Sequence, residues 1–174
     1  MLVRQGKALY VGISNYSAEQ TDQALELLEQ LGTPCLVHQA RYSMFDRQVE
    51  NGLLDTLKHS GVGMVAFSPL AQGLLTEKYL NGIPLGSRAD NQRSYLEPHL
   101  VEHYQPKIKA LSNIAAKRGQ SLAQMALAWL LSDQRVSSVL IGASSPDQLY
   151  ENVVAVRHLE FSESEEKQIQ GILK

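Results

Sequence analysis

The stretch VAFSPLAQGLLTEKY, from Val65 to Tyr79, decides the fold because an apolar strand ends inside it and no helix follows. The apolar run begins at Val62, and a strand is expected from there to Phe67. Ser68-Pro69 ends the strand, since proline lacks the N–H that a sheet ladder needs. Roughly thirty residues then pass before the next helical pattern, which is long for a connection inside a compact domain. Loops of this length usually carry function.

Working outward, three further short apolar runs resemble this strand. They are expected as strands over Lys7 to Ile13, Cys35 to Gln39 and Val136 to Gly142. Helical patterns separate or follow them. They are expected from Ser17 to Gly32, around Leu53 to Gly61, from about Val101 to Lys117, from Ser121 onward, from Ser145 through Val156, and from Ser162 to Leu173. Short apolar strands that alternate with helices predict an α/β fold, with a parallel sheet buried on both faces.

Polar residues mark the helix starts. Ser17 with Gln20, and Ser121 with Gln124, have the three-residue spacing of a capping box. Within the first helix, a set of apolar residues recurs at helical spacing and is expected on one face: Ala24, Leu27, Leu28 and Leu31.

Composition excludes several classes of protein. The chain has 174 residues, and 16 basic against 18 acidic residues give a net charge of −2. This balance gives no electrostatic reason to expect nucleic acid or an anionic membrane as a partner. A single cysteine, Cys35, fits a reducing compartment, and the residues after Met1 lack the pattern of a signal peptide. The expectation is one soluble, cytoplasmic unit over residues 1–174, either a domain or part of one.

Every predicted strand ends in polar, turn-forming residues, which places these residues on one rim of a parallel sheet. Ser144-Ser145-Pro146 opens a helix, and the N–H groups at a helix N-terminus favour phosphate. Lys78 and Arg88, in the long loop, are cations that could close over a polyanion. The alternative is that these are ordinary surface features. In eight-stranded barrels the phosphate site follows the last two strands, so the chain would match if it were the second half of such a barrel.

Four segments together resemble the aldo-keto reductases. They are GKALYVGISNYS, VHQARYSMFDR, VAFSPLAQGLLTEKYLNGIPLGSRA and RVSSVLIGASSPDQLYENV. The resemblance covers almost the whole chain and implies the C-terminal half, strands 5 to 8, of a (β/α)8 TIM barrel. It also implies NADP(H) as cofactor, a small aldehyde or ketone as substrate, and reduction by hydride transfer in the complete enzyme.

The same resemblance implies roles for particular residues. Ser14, Asn15 and Gln39 would bind the nicotinamide carboxamide, and Phe67 would lie against the nicotinamide ring. The pyrophosphate would be lined by Ser68, Pro69, Leu70, Ala71, Gln72 and Gly73, with Lys78 close by. The phosphorylated adenosine ribose would be held by Arg88, Ser144 and Gln148, and the adenine amine by Glu151 and Asn152. Gly142 would also belong to the cofactor site.

No catalytic residue is expected in this chain. The family's Tyr, Lys, Asp and His or Asn lie on the first half of its barrel. Here Tyr10 lies inside a predicted strand, and Tyr16 and Tyr42 have no lysine at a spacing that would lower the pKa of the phenol. The isolated chain is therefore expected to recognise the cofactor without turnover. It is also expected to self-associate or to pair with the missing N-terminal half, because a half-barrel leaves strand edges open.

One segment suggests different chemistry. His99-Leu100-Val101-Glu102-His103 matches the H-x-x-E-H pattern of some zinc peptidases. Two histidines four residues apart on a helix could bind one metal. The alternative is a solvated helix start after Pro98. The barrel interpretation favours that alternative, since it places the segment far from the strand rim.

Overall fold

The computed structural model describes residues 2–91 and 95–174. In these ranges four strands form one sheet, and six α-helices accompany them. The strands are β1 (Val11–Ser14), β2 (Cys35–Arg41), β3 (Gly63–Phe67) and β4 (Val136–Leu140). The helices are α1 (Ala18–Gln30), α2 (Leu53–His59), α3 (Pro98–Lys117), α4 (Leu122–Ser132), α5 (Pro146–Val154) and α6 (Glu163–Leu173). Short 3-10 turns occupy Gln48–Glu50, Ala71–Gly73, Glu77–Tyr79, Arg88–Asp90 and Ala155–Arg157.

The sheet is parallel throughout, in the order β1-β2-β3-β4. One α-helix follows each of β1 and β2, whereas β3 is followed by the long loop and then by both α3 and α4. The predicted α/β class is confirmed, and the architecture is that of half a (β/α)8 barrel.

The helices cover one face of the sheet. Ala40, Met64 and Ala66 point to the helices, because each is buried in one hydrophobic cluster with residues of α2 and α4. Alternate residues such as Val65 and Phe67 point the other way and are half-buried. The expectation of burial on both faces is therefore met on one face only, since no helix of the described residues covers the second face.

A larger hydrophobic cluster lies between the long loop and helices α3, α4 and α6. Leu75, Tyr79, Ile108, Leu111 and Met125 in it are fully buried. The loop after β3 is thus anchored by its own apolar side chains. This packing fixes where the loop leaves the sheet.

The predicted caps are present. Ser17 and Ser121 each accept a hydrogen bond from the backbone N–H three residues on, and both capping boxes are complete. Ser145 caps α5. In α1, by contrast, the predicted apolar face is only partly buried: Leu27 and Leu31 are 59% and 58% exposed.

The first strand was predicted too early. It begins at Val11, not Lys7, so Tyr10 precedes the strand and is 70% exposed. Ser14, expected in a turn, is the last residue of β1. The predicted fourth strand is shorter as well, since it ends at Leu140 and leaves Gly142 in the loop. The helix expected through Val156 ends at Val154 and continues as the 3-10 turn.

Candidate functional site

The carboxyl ends of the four strands lie along one rim of the sheet, and most predicted cofactor residues follow them directly. Ser14 pairs with Gln39 in register, and the N–H of Asn15 donates to the Gln39 carbonyl at 3.0 Å. Phe67 ends β3 and pairs with Leu140 of β4. Parallel pairing therefore brings together three of the segments that the sequence pointed to.

Four non-glycine residues of the described chain have positive φ, and all four lie on this rim. Asn15 (φ 58°) follows β1, while Ser68 (φ 55°), Ala71 (φ 46°) and Gln72 (φ 59°) follow β3. Gly73 continues the left-handed run at φ 102°. Such a conformation costs an L-residue roughly 1 kcal/mol or more, and it clusters at functional sites. Each of the four residues had been assigned to the cofactor.

The loop after β3 holds this shape through its own hydrogen bonds. The N–H of Ala71 donates to the Ser68 carbonyl at 2.9 Å, and that of Gly73 to the Leu70 carbonyl at 2.8 Å. The hydroxyl of Thr76 donates to the Gly73 carbonyl at 2.7 Å. Pro69 is buried, and Leu70 packs against the larger hydrophobic cluster. The side chains of these two residues therefore help to anchor the loop.

A cavity of about 660 Å³ opens between the loops that follow β1 and β2. Its lining includes Asn15, Phe67, Tyr16, Gln48 and Asn51. The volume falls in the range of small-molecule sites. The cavity thus joins two of the predicted nicotinamide residues to polar side chains that had no predicted role.

A smaller cavity of about 120 Å³ adjoins the β3 loop and is lined by Ser68, Ala71 and Gln72. Arg41, the last residue of β2, lines both cavities. Its guanidinium carbon lies 5.8 Å from the centroid of the Phe67 ring. Arg41 was not predicted as a site residue, although its place two residues after Gln39 puts it on the same face of the strand.

Ser144 and Gln148 interact with each other at the start of α5. The N–H and the hydroxyl of Ser144 both donate to the Gln148 side-chain oxygen, at 2.7 and 3.0 Å. The Ser145 hydroxyl accepts from the Gln148 N–H at 3.2 Å. The predicted pair is therefore brought together around the exposed N-terminus of a helix.

The next turn of α5 holds the predicted adenine residues. The Gln124 amide donates at 3.0 Å to both the carboxylate and the carbonyl of Glu151. Asn152 is 5% exposed, and its buried side-chain amide nitrogen has no hydrogen-bond partner among the described residues. A buried donor without an acceptor costs free energy, and this amide is closed to solvent in the structure.

The two predicted cations stand apart from this cluster. Lys78 and Arg88 lie in separate 3-10 turns of the long loop, and both are exposed. Within residues 2–91 and 95–174, no ion pair involves either residue, and the hydrogen bonds of Ser144 and Gln148 go to neither of them. The loop is anchored between them by Tyr79, whose hydroxyl accepts from the Ala89 N–H at 3.4 Å. Gly142 is exposed with open space around it.

His38 is a fully buried residue of β2 that sits behind the rim. Its Nε2 accepts from the Tyr16 N–H at 3.3 Å, so the ring proton is on Nδ1, which has no partner among the described residues. Burial lowers the pKa of His38 below its usual value, and the hydrogen bond from Tyr16 opposes this only in part. The ring is therefore neutral near pH 7. It supports the backbone that leads into the cavity.

Tyr42, one of the tyrosines considered for catalysis, belongs to a polar cluster beside α2. The Tyr42 hydroxyl donates to Glu50 at 2.9 Å, and burial raises the pKa of Tyr42 strongly. Glu50 is held in turn by Arg47, whose guanidinium binds it through two nitrogens at 2.6 and 2.7 Å. This cluster fixes the segment between β2 and α2, and its role is structural.

The histidines of the H-x-x-E-H segment are not arranged as ligands of one metal ion in the described residues. His99, Glu102 and His103 lie in the first turns of α3 and are exposed. His99 pairs with Glu97 at 3.1 Å, and the His103 ring packs edge-on against Tyr104. In the part of the chain that the structure describes, no three His, Cys, Asp or Glu side chains are grouped to hold a metal ion.

The helices of the described residues include none that is long and apolar enough to cross a membrane.

Comparison with known proteins assigns the family. The sequence profile of the Aldo/keto reductase family matches residues 1–174. L-glyceraldehyde 3-phosphate reductase of Escherichia coli (strain K12) is 53% identical over 172 residues, which is 96% of this chain and 50% of that protein. The enzyme of the same name from Escherichia coli O157:H7 is 52% identical over the same share. The chain thus spans about half the length of these relatives. A match over the full chain, on a parallel sheet with its polar rim, means that this chain belongs to the aldo/keto reductase family.

Proposed function

We propose that this chain is the cofactor-binding half of an NADPH-dependent carbonyl reductase. The observation that carries the proposal is that strained backbone and assigned cofactor residues occur at the same positions. Every described non-glycine residue in the left-handed conformation is one that the family resemblance assigns to the cofactor. Strain of this kind is kept where surrounding structure enforces it for a purpose. Two cavities open beside the same residues.

The residues present fit the chemistry of the group. Asn15 and Phe67 share the larger cavity, which suits a planar amide-bearing ring. The hydroxyls and backbone around Ser68 and Ser144 suit phosphates, because N–H and O–H donors stabilise an anion. NADPH would supply the hydride when bound, and this chain's own residues would hold and orient it.

The complete enzyme would reduce an aldehyde or ketone to an alcohol. The relatives are named for L-glyceraldehyde 3-phosphate, so this phosphorylated aldehyde is the first substrate to assay. The proton donor would come from the half of the barrel that this chain lacks. We therefore expect the chain alone to bind NADPH and to show negligible turnover.

Arg88 provides the test of cofactor choice. A guanidinium can bind the ribose phosphate that NADPH carries and NADH does not. Arg88→Ala is expected to weaken NADPH binding by about 10- to 100-fold, equivalent to about 1.4 to 2.8 kcal/mol. NADH binding should change less than about threefold. The measurement is titration of the purified chain, followed by the fluorescence of the bound nucleotide and by calorimetry.

Two outcomes would refute the proposal. The first is equal weakening of NADPH and NADH, which would show that Arg88 does not touch the distinguishing phosphate. The second is no binding of either nucleotide to the folded chain. Lys109→Ala is the matched control, because Lys109 is an exposed cation on α3, away from the strand rim. It should leave both affinities unchanged.

A further inference from the structure

Gln124 is a nearly buried side chain of α4 that reaches the predicted adenine end of the site. It is 8% exposed, and Leu122 and Met125 beside it on the helix are fully buried. The side chain therefore starts from an element that the core holds in place. Side chains on such elements keep their positions more precisely than side chains on loops.

The orientation of the Gln124 amide is fixed by the cap of its own helix. The side-chain oxygen Oε1 accepts from the Ser121 N–H at 3.0 Å, and the Ser121 hydroxyl accepts from the Gln124 N–H at 3.1 Å. An amide oxygen can accept from the Ser121 N–H, whereas an amide nitrogen cannot. The amide nitrogen Nε2 must therefore point away from the cap, toward α5.

Both donors of Gln124 Nε2 are used on one residue of α5. They go to the carbonyl and to the carboxylate oxygen Oε2 of Glu151, each at 3.0 Å. One side-chain amide thus binds the backbone and the side chain of Glu151 together. This double contact restrains the carboxylate relative to its own helix.

The second carboxylate oxygen of Glu151, Oε1, is available to a ligand. Glu151 is exposed, and among the residues that the structure describes it forms no ion pair. A neutral amide as partner leaves the negative charge of the carboxylate uncompensated. A charged oxygen of this kind is a strong acceptor for an N–H donor.

Glutamine at position 124 provides more than the cap requires. A capping box takes glutamate or glutamine at this position, and the box of α6 uses Glu165. A glutamate at position 124 would still accept from the Ser121 N–H. It would have no donor for Glu151 and would place a second negative charge beside it. The cap alone therefore does not account for the donor that faces α5.

The start of α4 is also tied to the loop after β3. The Glu77 carboxylate accepts from the Leu122 N–H at 2.6 Å. Lys78, predicted to lie close to the pyrophosphate, follows Glu77 directly. The first turn of α4 thus contacts both the loop after β3 and α5. It sets the spacing between residues predicted for the pyrophosphate and residues predicted for the adenine.

We propose that Gln124 is a positioning residue for recognition of the base. It holds the Glu151 carboxylate so that Oε1 accepts a hydrogen bond from an aromatic amine, the 6-amino group of adenine. This inference rests on the proposed function, in which the chain binds NADPH. Gln124 touches no part of the nucleotide in this arrangement and acts only through Glu151.

Two nucleotides that differ in one group test the assignment. NADPH carries the 6-amino group, and its hypoxanthine analogue carries an oxygen in that place. Titration of the purified chain, followed by nucleotide fluorescence, should show about 10- to 100-fold tighter binding of NADPH, the range for a hydrogen bond to a charged group. Gln124→Glu should reduce this preference to less than about twofold, because it repels the Glu151 carboxylate. Gln124→Met has neither donor nor charge and should also lose the preference, so it replaces Gln124→Glu if that variant does not fold.

Exchange of the two side chains separates positioning from folding. Glu151→Gln alone should abolish the preference, because the Gln124 donor would hold the new amide oxygen and leave an amide nitrogen to face adenine. Gln124→Glu combined with Glu151→Gln restores a donor and an acceptor in the opposite direction, and an amide oxygen then faces the ligand. A preference of about fivefold should return, the size expected for a neutral hydrogen bond. Damage to folding does not predict recovery from two harmful substitutions.

Ser121→Ala is the matched control, because it removes the hydroxyl cap of α4 and leaves the Gln124 amide facing Glu151. It should keep the full preference for NADPH. Loss of the preference in this control would overturn the inference, and so would an unchanged preference in a folded Gln124→Glu chain.

The unsubstituted chain separates failure of this inference from failure of the proposed function. Equal binding of NADPH and its hypoxanthine analogue would overturn the inference, and the proposed function would stand. Binding of neither nucleotide would refute the proposed function and this inference with it.

Discussion

Arg118 is the side chain whose replacement best tests how the C-terminal helix is held. Its side chain is 2% exposed and pairs with Glu165 at 2.9 Å. The guanidinium also donates to the Gln120 side chain at 2.8 Å and to the Glu160 carbonyl at 2.9 Å. Its carbon lies 3.8 Å from the centroid of the Phe161 ring. One cation thus joins the end of α3 to the segment that leads into α6.

The magnitude follows from these contacts. Removing one partner of a buried ion pair costs about 3 to 5 kcal/mol, and Glu165 is 26% exposed and can recover part of its hydration. Arg118→Ala is therefore expected to lower the free energy of unfolding by about 3 kcal/mol. Arg118→Lys keeps the charge but loses the planar fork and the stacking, so about 1 to 2 kcal/mol should be lost. For a chain of this size, 3 kcal/mol lowers Tm by roughly 6 to 12 °C.

The assay is urea unfolding, followed by circular dichroism and by the fluorescence of Trp129, the single tryptophan. All variants are compared at one protein concentration, since self-association would add to apparent stability. Arg157→Ala is the matched control, because Arg157 is an exposed arginine of the same region. It should change stability by less than about 0.5 kcal/mol. A loss for Arg118→Ala no larger than that of the control would refute the reasoning.

Three further predictions concern single positions. Burial depresses the pKa of His38, so as pH falls below about 6.5 the unfolded state binds the His38 proton before the folded state does, and the free energy of unfolding should decline toward pH 5. In urea titrations at several pH values, His38→Gln should flatten that decline. Parallel pH curves for the two proteins would contradict the assignment. Gln72→Gly should raise the free energy of unfolding by about 1 kcal/mol by relieving the left-handed backbone, and a lowered Tm would show that no strain is stored there. Ser121→Ala should cost about 1 kcal/mol in urea unfolding through loss of the cap, while Ser121→Asn should cost little; equal losses would rule out a capping role.

Features decided by a few neighbouring residues could be predicted from sequence. The boxes at Ser17 and Ser121 form as expected, because a hydroxyl and the N–H three residues later meet whenever a helix begins there. The parallel sheet followed from the alternation of apolar strands and helices. The capping boxes and the alternation of strands with helices both depend on the spacing of residues along the chain, and tertiary packing changes either of them little.

The early limit of β1 could not be predicted, because a strand begins where its partner can pair. Val11 pairs with Cys35, and the residue before Cys35 is Pro34, which has no N–H to donate. Residues 7–10 are apolar enough for a strand, yet they have no ladder to join. Leu9 and Tyr10 are accordingly left 81% and 70% exposed, so apolar character alone does not make a strand.

Arg41 was missed for a related reason. In sequence it is one residue of a polar loop, and only the register of β2 against β3 places it opposite Phe67 at the rim. The pairing of Ser144 with Gln148, in contrast, could be predicted, because the two residues flank Ser145, the cap of α5, four positions apart. Residues on one turn can be related by spacing, whereas residues on neighbouring strands need the register.

The loop after β3 combines strain with tight anchoring, and this combination bears on how it would bind a ligand. Left-handed residues from Ser68 to Gln72 raise its free energy, while the apolar side chains of Leu74, Leu75 and Tyr79 are at most 4% exposed and hold it to the helices. A loop ordered by its ligand would have few buried side chains and would lose conformational entropy on binding. Here that loss has already occurred during folding. The rim is therefore preorganised, so a nucleotide would meet donors already in place, and its binding energy would not be spent on ordering the loop.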